Sequence, residues 1–445
     1  MNDLTLPLSG LSSVGGKSVV ARFDGGMLSS NSGVLALAEV EKRLRVAERL
    51  ARCIDDPRCP DQVIHSVADM IGFRMKMIAA GYEDGNDANR LRCDPIFKMA
   101  QDALPSGRDL ASQSTMCRLE NLPGVRELVV MGRAMVDLYC SSFRQVPKRI
   151  VLDIDDTFDA VHGGQQLRLF NAHYDEYGFQ PIVVFDGDGR FVGAVLRPAK
   201  RPSGAEIRPH LRRLVRAIRS NWPNTGILIR ADGHYCSPQV IDWCRANDVD
   251  FILGLAPTTT LRKHVADLET STMARFEASK TNKVRRFKEF FDGAASWSRV
   301  ERIIARVEVG AQGADTRFIV TNLASGKAKA LYEDVYCRRG AAENHIKSWK
   351  THLAADRTSC TRATANQFRL FLHAGAYWLM WGLRAAMPKR SSFAVAQFDT
   401  LRLRLIKIAA RVVEMKTQIR LHLPTSCPDQ RILRIVPSRI PQLAT

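Results

Sequence analysis

Several features that would assign the chain to a membrane, to a secretory route or to a disulfide-stabilised class are missing from the sequence. The longest apolar stretch, 370–383, contains a histidine and is shorter than the ~20 residues that span a bilayer, so it predicts a buried helix. The amino terminus has no basic start followed by an apolar run and a cleavage site, so no export is expected. The sequence also contains no internal repeat and no low-complexity tract.

Cysteine is present without any framework spacing. The ten cysteines are scattered, which is typical of a protein in a reducing cytoplasm. Cys53, Cys59 and His65 have zinc-binding side chains, but they lack a fourth ligand and the short pair spacing of zinc ribbons. Free thiols are therefore the expectation, and the predicted location is the cytoplasm.

Positive charge is what the sequence has in excess. Lysine and arginine number 65 against 46 aspartates and glutamates, which gives a formal charge of +19 over 445 residues. Such a balance favours a polyanionic partner, and nucleic acid is the natural candidate. An anionic membrane is the competing partner, but the basic residues are spread along the whole chain and form no single amphipathic anchor. The length predicts two or three domains.

The first third of the chain has a mainly helical pattern. A short strand is predicted at 17–24, and apolar residues at three- and four-residue spacing predict an amphipathic helix over 34–54. Helical pattern continues to about residue 140, with breaks at 105–107 and 141–148. The prediction is a helical, DNA-binding region at 1–145.

The texture changes at residue 149, where short β-rich runs begin to alternate with helical ones. Strands are predicted at 149–155, 167–175, 180–185 and 190–196, and a three-stranded meander turns at the Asp-Gly-Asp-Gly of 186–189. A capping box at 203–206 begins a helix that runs to about 222. A strand at 225–232, a helix that begins at 237–238 and a strand at 250–256 follow. The predicted order of elements is that of an RNase H-like core: three strands, a helix, a strand, a helix and a strand.

A segment then separates this core from its last helix. Alternating runs at 302–309 and 316–322 predict a β-rich insertion subdomain at 257–333. The predicted core thus comprises 146–256 and 334–385, and a basic, helical C-terminal region follows at 386–445. The predicted fold class is α/β, an RNase H-like catalytic core with an inserted β-subdomain, flanked by helical N- and C-terminal regions.

Acidic residues occur at the ends of two predicted strands. Asp153 and Asp155 alternate along the first strand and point to one face, while Asp232 ends a later strand and is followed by a glycine. Ligands of open α/β sheets bind at the carboxyl ends of strands, so these carboxylates are candidate catalytic groups. Each motif alone is also typical of an ordinary turn.

A third motif lies on one helix. Tyr336, Arg339, Glu343 and Lys350 stand at offsets of zero, three, seven and fourteen, which at ~100° per residue places them within a sector of ~60°. A solvated, salt-bridged helix face is the structural alternative. Phosphate chemistry needs the same set, with Glu343 to bind metal, Arg339 and Lys350 to hold the DNA backbone, and Tyr336 to orient a phosphate.

The spacing Tyr-x2-Arg-x3-Glu-x6-Lys in YCRRGAAENHIKSWK at 336–350 resembles the signature of the DDE transposases of bacterial insertion sequences in the IS-four superfamily. The stretches SQSTMCRLEN, LDIDDT, NAHYDEYGFQPIVVFD, RADGHYCSP and DFILGLAP resemble the group called IS thirteen-eighty. The likeness covers roughly residues 15 to 440.

The resemblance implies a function and its residues. Asp155, Asp232 and Glu343 would be the catalytic carboxylates, with Asp153 and Asp156 as alternatives to Asp155 for the first of them. They would hold two Mg²⁺ or Mn²⁺ ions roughly 3.5–4 Å apart, and one site would serve first water and then a DNA 3′-hydroxyl as nucleophile. Hard oxygen ligands suit these ions and disfavour zinc.

The implied partners are double-stranded DNA, namely the terminal inverted repeats and the target, and a second copy of the chain in a homodimer, with no membrane. In the insertion, Lys283, Arg285 and Arg286 alternate with phenylalanines, a pattern for backbone phosphates and base stacking. The resemblance suggests that Trp297 receives a flipped base. The structural alternative is that these aromatic residues form the core of the insertion.

Other classes of protein share parts of these patterns. Asp153-x-Asp155-x-Thr157 is also the nucleophile motif of haloacid-dehalogenase-like phosphatases, although a later paired-aspartate loop is missing. A transposase-derived DNA-binding protein with an inactive site is the non-enzymatic alternative. A phosphate-binding loop at 15–18 fails because Leu11 stands where that motif requires glycine.

Overall fold

The structure is a computed structural model that describes residues 10–440. The strands, numbered along the chain, are β1 (Met27–Ser29), β2 (Arg149–Asp156), β3 (Asp159–Ala160), β4 (Leu169–Asn171), β5 (Glu176–Phe179), β6 (Ile182–Asp186), β7 (Phe191–Val195), β8 (Gly226–Ala231), β9 (Asp250–Leu255), β10 (Lys283–Asp292), β11 (Glu301–Gly310), β12 (Gly313–Thr321), β13 (Ala410–Glu414) and β14 (Ile419–His422). The α-helices are α1 (Val34–Leu44), α2 (Val46–Ala51), α3 (Val67–Ala79), α4 (Ala88–Leu91), α5 (Pro95–Met99), α6 (Gln113–Glu120), α7 (Val125–Ser141), α8 (Gly204–Asn221), α9 (Pro238–Ala246), α10 (Thr259–Glu277), α11 (Ala328–Ala330), α12 (Gly340–Lys347), α13 (Ala363–Ala385), α14 (Phe398–Leu401) and α15 (Gln430–Arg439).

The chain divides into two compact units. Unit 1 contains the described residues of Met1–Pro123, His352–Ala354 and Gly375–Gln442, and unit 2 contains those of Gly124–Thr351 and Ala355–Ala374. Helix α7 therefore belongs with the sheet of unit 2. The four-part division at 145, 256, 333 and 385 stays a prediction.

Unit 2 is built on an eight-stranded sheet whose order is β10-β11-β12-β9-β8-β2-β6-β7. Within it, β6 is antiparallel to β2 and β7 to β6, whereas β8 and β9 run parallel to β2. Helix α8 connects β7 to β8 and α9 connects β8 to β9. This connectivity is that of the RNase H-like fold, and the predicted fold class is confirmed.

The predicted insertion contains the expected strands, but they are not a separate sheet. Strand β12 pairs antiparallel with β9, with Phe318 opposite Leu255, and β11 and β10 continue the same sheet outward. A long helix, α10, precedes them where the sequence showed no comparable pattern.

A second, smaller sheet lies between β2 and β6 along the chain. Its order is β3-β5-β4, and β4 and β5 form a hairpin. The strand predicted at 167–175 is therefore not part of the meander. The meander of the main sheet consists of β2, β6 and β7, and the small sheet is an excursion from it.

A helical stretch from α11 to residue 352 packs across one face of the main sheet. It is not one regular α-helix, because π-helical turns occupy Leu331–Tyr336 and Ser348–His352 and a 3-10 turn occupies Cys337–Arg339. Leu331 and Tyr332 are buried against Leu228, Ile252 and Ile319 of the sheet. Burial of these apolar side chains anchors the start of the stretch at β8, β9 and β12.

Unit 1 is mainly helical, with α1 to α6 and a short sheet in the order β1-β13-β14. The strand expected at 17–24 lies instead at Met27–Ser29, and the C-terminal region, predicted as helical, also contributes β13 and β14. Residues 375–385 of α13 complete the unit, and they pack closely enough that a Cβ on Gly375 would lie 2.1 Å from the sulfur of Met75.

The buried helix predicted at 370–383 is found within α13. None of the helices formed by residues 10–440 has the length and apolar character needed to cross a membrane. All ten cysteines lie in this part of the chain and carry free thiols.

Candidate active site

Two of the predicted catalytic carboxylates lie at neighbouring strand ends. Strands β2 and β8 are parallel and in register to Ile154 and Ala231, so Asp155 and Asp232 follow one another across the edge of the sheet. Asp232 leaves the strand by a turn in which its Oδ1 accepts a hydrogen bond from the backbone N–H of Gly233 at 2.8 Å. The carboxyl ends of the two central parallel strands therefore form an acidic edge.

One arginine links the two carboxylates. The Nη1 of Arg339 donates to Asp155 Oδ2 at 2.8 Å, and its Nη2 lies 4.0 Å from Asp232 Oδ2. Asp155 Oδ1 also accepts from the backbone N–H of Asp156 at 3.0 Å. The guanidinium thus occupies the position between two carboxylates where a cation is most strongly attracted.

The two carboxylates differ in solvent exposure. Burial raises the pKa of Asp155 above its ordinary value, although the positive charge of Arg339 opposes this. The side chain of Asp232 is 51% exposed, against 17% for Asp155. A cation placed between the two would hold the Asp155 carboxylate in its charged form, which burial alone disfavours.

Asp153 has a structural partner. Its two oxygens accept from Nε and Nη2 of Arg230 at 2.6 and 2.7 Å, and the side chains of Asp153 and Arg230 are only 1% and 4% exposed. Arg230 also donates through Nη1 to the carbonyl oxygen of Val335 at 2.7 Å. The pair therefore ties β2 and β8 to the helical stretch, and it leaves Asp153 no free oxygen for a ligand.

Asp156 points away from Asp153 and Asp155, as strand alternation requires. Its carboxylate contacts Nε2 of His234, the amide of Gln180 and, at 3.1 Å, the hydroxyl of Tyr235. Burial alone would raise the pKa of Asp156, but the hydrogen bonds from these partners outweigh it and lower the pKa. This cluster was not predicted from the sequence, where the alternation of the three aspartates was its only local signal.

Tyr336 lines a cleft beside Asp232 and packs against Gly254 of β9. A Cβ at Gly254 would lie 2.8 Å from the Tyr336 hydroxyl and 2.8 Å from the backbone nitrogen of Gly233. Glycine is therefore required at this position for the Asp232 turn and the tyrosine to approach each other.

Further along the helical stretch, α12 reaches the other side of β2. A Cβ at Gly189 would lie 2.5 Å from the His345 ring, and the ring of Phe185 lies 5.7 Å from it. The stretch thus crosses the sheet from β12, through β8 and β2, to β6, and it carries Arg339 over the acidic edge.

Glu343 is exposed on α12, about one turn beyond Arg339. Within residues 10–440 it makes no hydrogen bond or ion pair, and no three acidic, histidine or cysteine side chains there are close enough together to hold one metal ion. The structure therefore brings Asp155 and Asp232 together around Arg339 and does not bring Glu343 into contact with them.

Lys350 contacts the loop that follows the acidic strand end. Its Nζ donates to Thr157 Oγ1 at 3.2 Å and to the carbonyl oxygen of Phe158, and it lies 3.4 Å from Asp159 Oδ1. Burial raises the pKa of Asp159 to about 8, and the charge of Lys350 opposes that rise. The lysine thus anchors the segment between β2 and β3.

The candidate DNA-contacting residues of the insertion lie on β10 and on the loop after it. Arg285 is engaged by Glu308 at 2.5 Å and by Glu333 at 2.6 Å, whereas Lys283 lies 3.8 Å from Glu308. Arg286 donates to Ser271 of α10 at 2.8 Å. The carboxylate partners leave Arg285 less available to phosphate than its place in the sequence indicates.

Trp297 is distant from the acidic edge. It lies in the hairpin between β10 and β11. At this end of β11, Arg302 pairs with Thr321 of β12, and Thr321 pairs with Ile252 near the start of β9. Asp232 lies beyond the end of the parallel strand β8. The hairpin is thus at the opposite edge of the sheet, and the structure does not bring Trp297 to the candidate site.

Taken together, an RNase H-like sheet with carboxylates at the ends of its two central parallel strands defines the class of the protein, an α/β protein with an acidic strand-edge site. The sequence model of the family described as "Transposase DDE domain group 1" matches residues 11–445, so the chain belongs to the DDE transposase family. It is a transposase, a DNA-cleaving enzyme of a family that generally uses divalent metal ions.

Similarity outside the family model is limited. No curated protein sequence matches the chain. A solved structure described as "Cryo-EM structure of piggyBac transposase synaptic complex with hairpin DNA (SNHP)" is similar with a TM-score of 0.40 and 10% sequence identity, over 84% of this chain and 79% of that chain.

Proposed function

We propose that the chain is the transposase of a bacterial insertion sequence of the IS-four superfamily, in the IS thirteen-eighty group. It binds the terminal inverted repeats of its element and catalyses Mg²⁺-dependent DNA cleavage and strand transfer, which together constitute cut-and-paste transposition. Asp155, Asp232 and Glu343 are its catalytic carboxylates. The observation that carries this proposal is the pair Asp155 and Asp232 on adjacent parallel strand ends, both facing one cationic group.

The side chains present suit a hard divalent cation. Asp155 and Asp232 offer carboxylate oxygens to the same position, which the guanidinium of Arg339 occupies at 2.8 and 4.0 Å. Glu343 is without a partner in the described part of the chain and lies on α12, which begins directly after Arg339 in the same helical stretch. These three residues would hold two Mg²⁺ or Mn²⁺ ions, because oxygen ligands prefer such ions.

The residues of the chain have separate roles in this mechanism. When bound, the ions supply Lewis-acid activation of the attacking oxygen and stabilisation of the leaving oxygen. Asp153 and Arg230 keep β2 and β8 in register, so that Asp155 and Asp232 stay adjacent. With Asp155 and Asp232 engaged by metal ions, the guanidinium of Arg339 would be available to a DNA phosphate as a planar, two-pronged donor.

Tyr336 and Lys350 have neighbouring roles. Tyr336, which lines the cleft beside Asp232, orients a phosphate there. Lys350 donates hydrogen bonds to Thr157 and Phe158 in the loop after Asp156, and it thereby stabilises the end of the strand that carries Asp155.

The partners proposed are double-stranded DNA and a second copy of the chain, because two element ends must be joined in one complex. The charge of +19 supports the DNA partner. We place the protein in the bacterial cytoplasm, at the nucleoid when bound to DNA, and the free thiols of its cysteines agree with a reducing compartment.

The phosphatase alternative loses its support at Asp153. The nucleophile of that motif must present a free carboxylate oxygen, but both oxygens of Asp153 accept hydrogen bonds from Arg230 inside the protein. The inactive alternative has little support, because all three acidic residues are present.

The test combines cleavage and binding on one substrate. Purified protein is incubated with Mg²⁺ and DNA that spans the ends of its own element, and nicks at the element boundary are mapped. Glu343→Gln should lower cleavage by at least about a hundredfold, since one electrostatic group at a reacting centre is worth about 10²–10³ in rate. Its affinity for the end DNA should stay unchanged.

Asp334→Asn is the matched control, because Asp334 is an exposed acidic residue on the same helical stretch. It should cleave at the wild-type rate. Cleavage by the Glu343→Gln variant at the wild-type rate would remove Glu343 from the site, and the absence of boundary nicks with the wild type would reject the proposed activity.

A further inference from the structure

A cleft of about 1150 Å³ opens beside Asp232, and the carboxylate chemistry leaves most of it unused. Its lining includes the ends of β8 and β9 and the side chain of Tyr336. The β4–β5 hairpin also lines the cleft, with Phe170 on β4 and with His173 and Tyr174 in the turn. All of these residues belong to unit 2.

The hairpin presents aromatic rings to solvent. Phe170 is 45% exposed and Tyr174 is 49% exposed, although both are large hydrophobic side chains. Phe158 stacks on one side of the Tyr174 ring, with ring centroids 4.2 Å apart and planes at 8°. The ring of His173 also lies 4.8 Å from the Tyr174 ring, with the planes at 83°. The Tyr174 ring is therefore held in place by two neighbours, while about half of the residue stays accessible to a further flat partner.

The turn that carries these rings is fixed by hydrogen bonds. Asn171 Oδ1 accepts from the backbone N–H of His173 at 3.0 Å, and Asn171 Nδ2 donates to the carbonyl oxygen of Ala199 at 3.1 Å. The backbone N–H of Tyr174 donates to the carbonyl oxygen of Asn171 at 3.2 Å. A fixed turn presents its side chains at a low cost in conformational entropy.

Positive charge surrounds the rings. The cationic side chains of the lining are Lys200, Arg201, Arg262, Arg306 and Arg317, and its acidic ones are Asp232 and Asp315. Arg306 and Arg317 share Asp315, and Lys200 lies 3.0 Å from Glu206. Arg201 and Arg262 are exposed and make no ion pair within residues 10–440, so two cations are free to bind phosphate.

We infer that this cleft binds one unpaired nucleotide next to the cleavage point, with its base stacked on Tyr174 and Phe170 and its phosphates at Arg201 and Arg262. Flat apolar faces interleaved with cations are what a single-stranded nucleotide requires, because every base has a π-face and every linkage a charge. Bases within a duplex are stacked on one another and do not reach such rings. The inference rests on the proposed function, since it places this nucleotide beside the candidate catalytic carboxylates.

The experiment compares two forms of one element end by fluorescence anisotropy. The first form is a fully paired duplex, and the second carries three unpaired nucleotides at the cleavage point. The wild type should bind the second form more tightly. Phe170→Ala and Tyr174→Ala should each weaken that binding roughly 5- to 150-fold, the range that stacking of one base covers, and leave binding of the paired form unchanged.

Leu169→Ala is the matched control, because Leu169 adjoins Phe170 on β4, is 40% exposed and does not line the cleft. It should bind both forms as the wild type does, and Tyr174→Phe should keep the preference. A second readout needs no variant. With 5-iodouracil at an unpaired position, irradiation of the wild-type complex should crosslink the base to Tyr174 or Phe170, as peptide mapping would identify.

The outcomes separate this inference from the proposed function. Boundary cleavage without a preference for the unpaired form overturns the inference alone. A crosslink to Trp297 also overturns it, as does an equal loss of affinity for both forms in the Phe170 and Tyr174 variants. A wild type that neither binds nor cuts the element end overturns both.

Discussion

Replacement of Asp153 and of Asp155 by asparagine should affect different properties, although the two carboxylates are two residues apart on one strand. Asp153→Asn leaves the buried guanidinium of Arg230 without its charged partner, whereas two hydrogen bonds of 2.6 and 2.7 Å hold it in the wild type. Removal of one member of a buried ion pair costs about 3–5 kcal/mol, because the remaining charge is uncompensated. In a unit of this size, that corresponds to a fall in Tm of roughly 6–20 °C.

Asp155→Asn should be nearly neutral for stability. Burial raises the pKa of both carboxyl groups, but the Asp155 side chain is 17% exposed, against 1% for Asp153. Water can therefore reach the Asp155 site and screen Arg339 when the charge of Asp155 is lost. Arg339 keeps Asp232 as a partner at 4.0 Å. We expect a stability change within about 1 kcal/mol, the range of ordinary partly exposed substitutions, together with loss of DNA cleavage.

Differential scanning calorimetry of both variants, with the cleavage assay run on the same preparations, measures the two effects. The double variant Asp153→Leu/Arg230→Met is the control for the charge argument. It should recover much of the stability lost in Asp153→Asn, because a buried ion pair replaced by apolar side chains of similar size is often close to neutral. A stable Asp153→Asn protein without cleavage activity would refute the reasoning and would make Asp153 the catalytic carboxylate.

Three further predictions concern other parts of the structure. Burial raises the pKa of Asp159 to about 8, so the folded state binds more protons than the unfolded state, and the free energy of unfolding should fall as pH rises from about 4 to about 8. Asp159→Asn should remove this pH dependence in urea titrations. An unchanged profile would contradict the burial argument. Gly254→Ala should lower the free energy of unfolding by about 1–3 kcal/mol through overpacking, and it should lower the cleavage rate, since its Cβ would lie 2.8 Å from the Tyr336 hydroxyl. A wild-type Tm and a wild-type cleavage rate would show that the close approach of Gly254 and Tyr336 is not needed. Arg201→Ala should reduce the slope of log DNA affinity against log salt concentration by about 1. Arg285→Ala should leave this slope unchanged, because two carboxylates already bind Arg285. Equal effects of the two variants would contradict the proposal that Arg201 is available to phosphate.

Much of the core of unit 2 follows from patterns within a few residues of one another. The capping box at Ser203 and Glu206 starts α8 with the hydrogen bonds expected of it, and Pro238 begins α9 at its first position. The strands predicted at 149–155, 225–232 and 250–256 are found within about one residue of those bounds. Capping and alternation are short-range effects, so a single sequence is sufficient to predict them.

The candidate site could be predicted only in part. The aspartates at strand ends were identifiable because alternation and an Asp-Gly turn are local signals. The sequence did not show that Asp153 is engaged in a buried ion pair and Asp155 is not, because the partner of Asp153 is Arg230, which is 77 residues away. The regular helix assumed for the residues from Tyr336 to Lys350 was also inexact, since its π-helical and 3-10 turns arise where the stretch packs on the sheet.

By itself, the sequence determined which segments are strands or helices in the core, that acidic side chains end two of the strands, and that the chain carries a large positive charge. Only the tertiary structure decided which distant strand edges pair: β12 with β9, and β1 with β13. It also decided that Arg339 lies between Asp155 and Asp232 and that Trp297 lies at the other edge of the sheet. The physical reason is that backbone groups along any strand edge are chemically alike, so the packing of residues far apart in sequence selects the partner and the register.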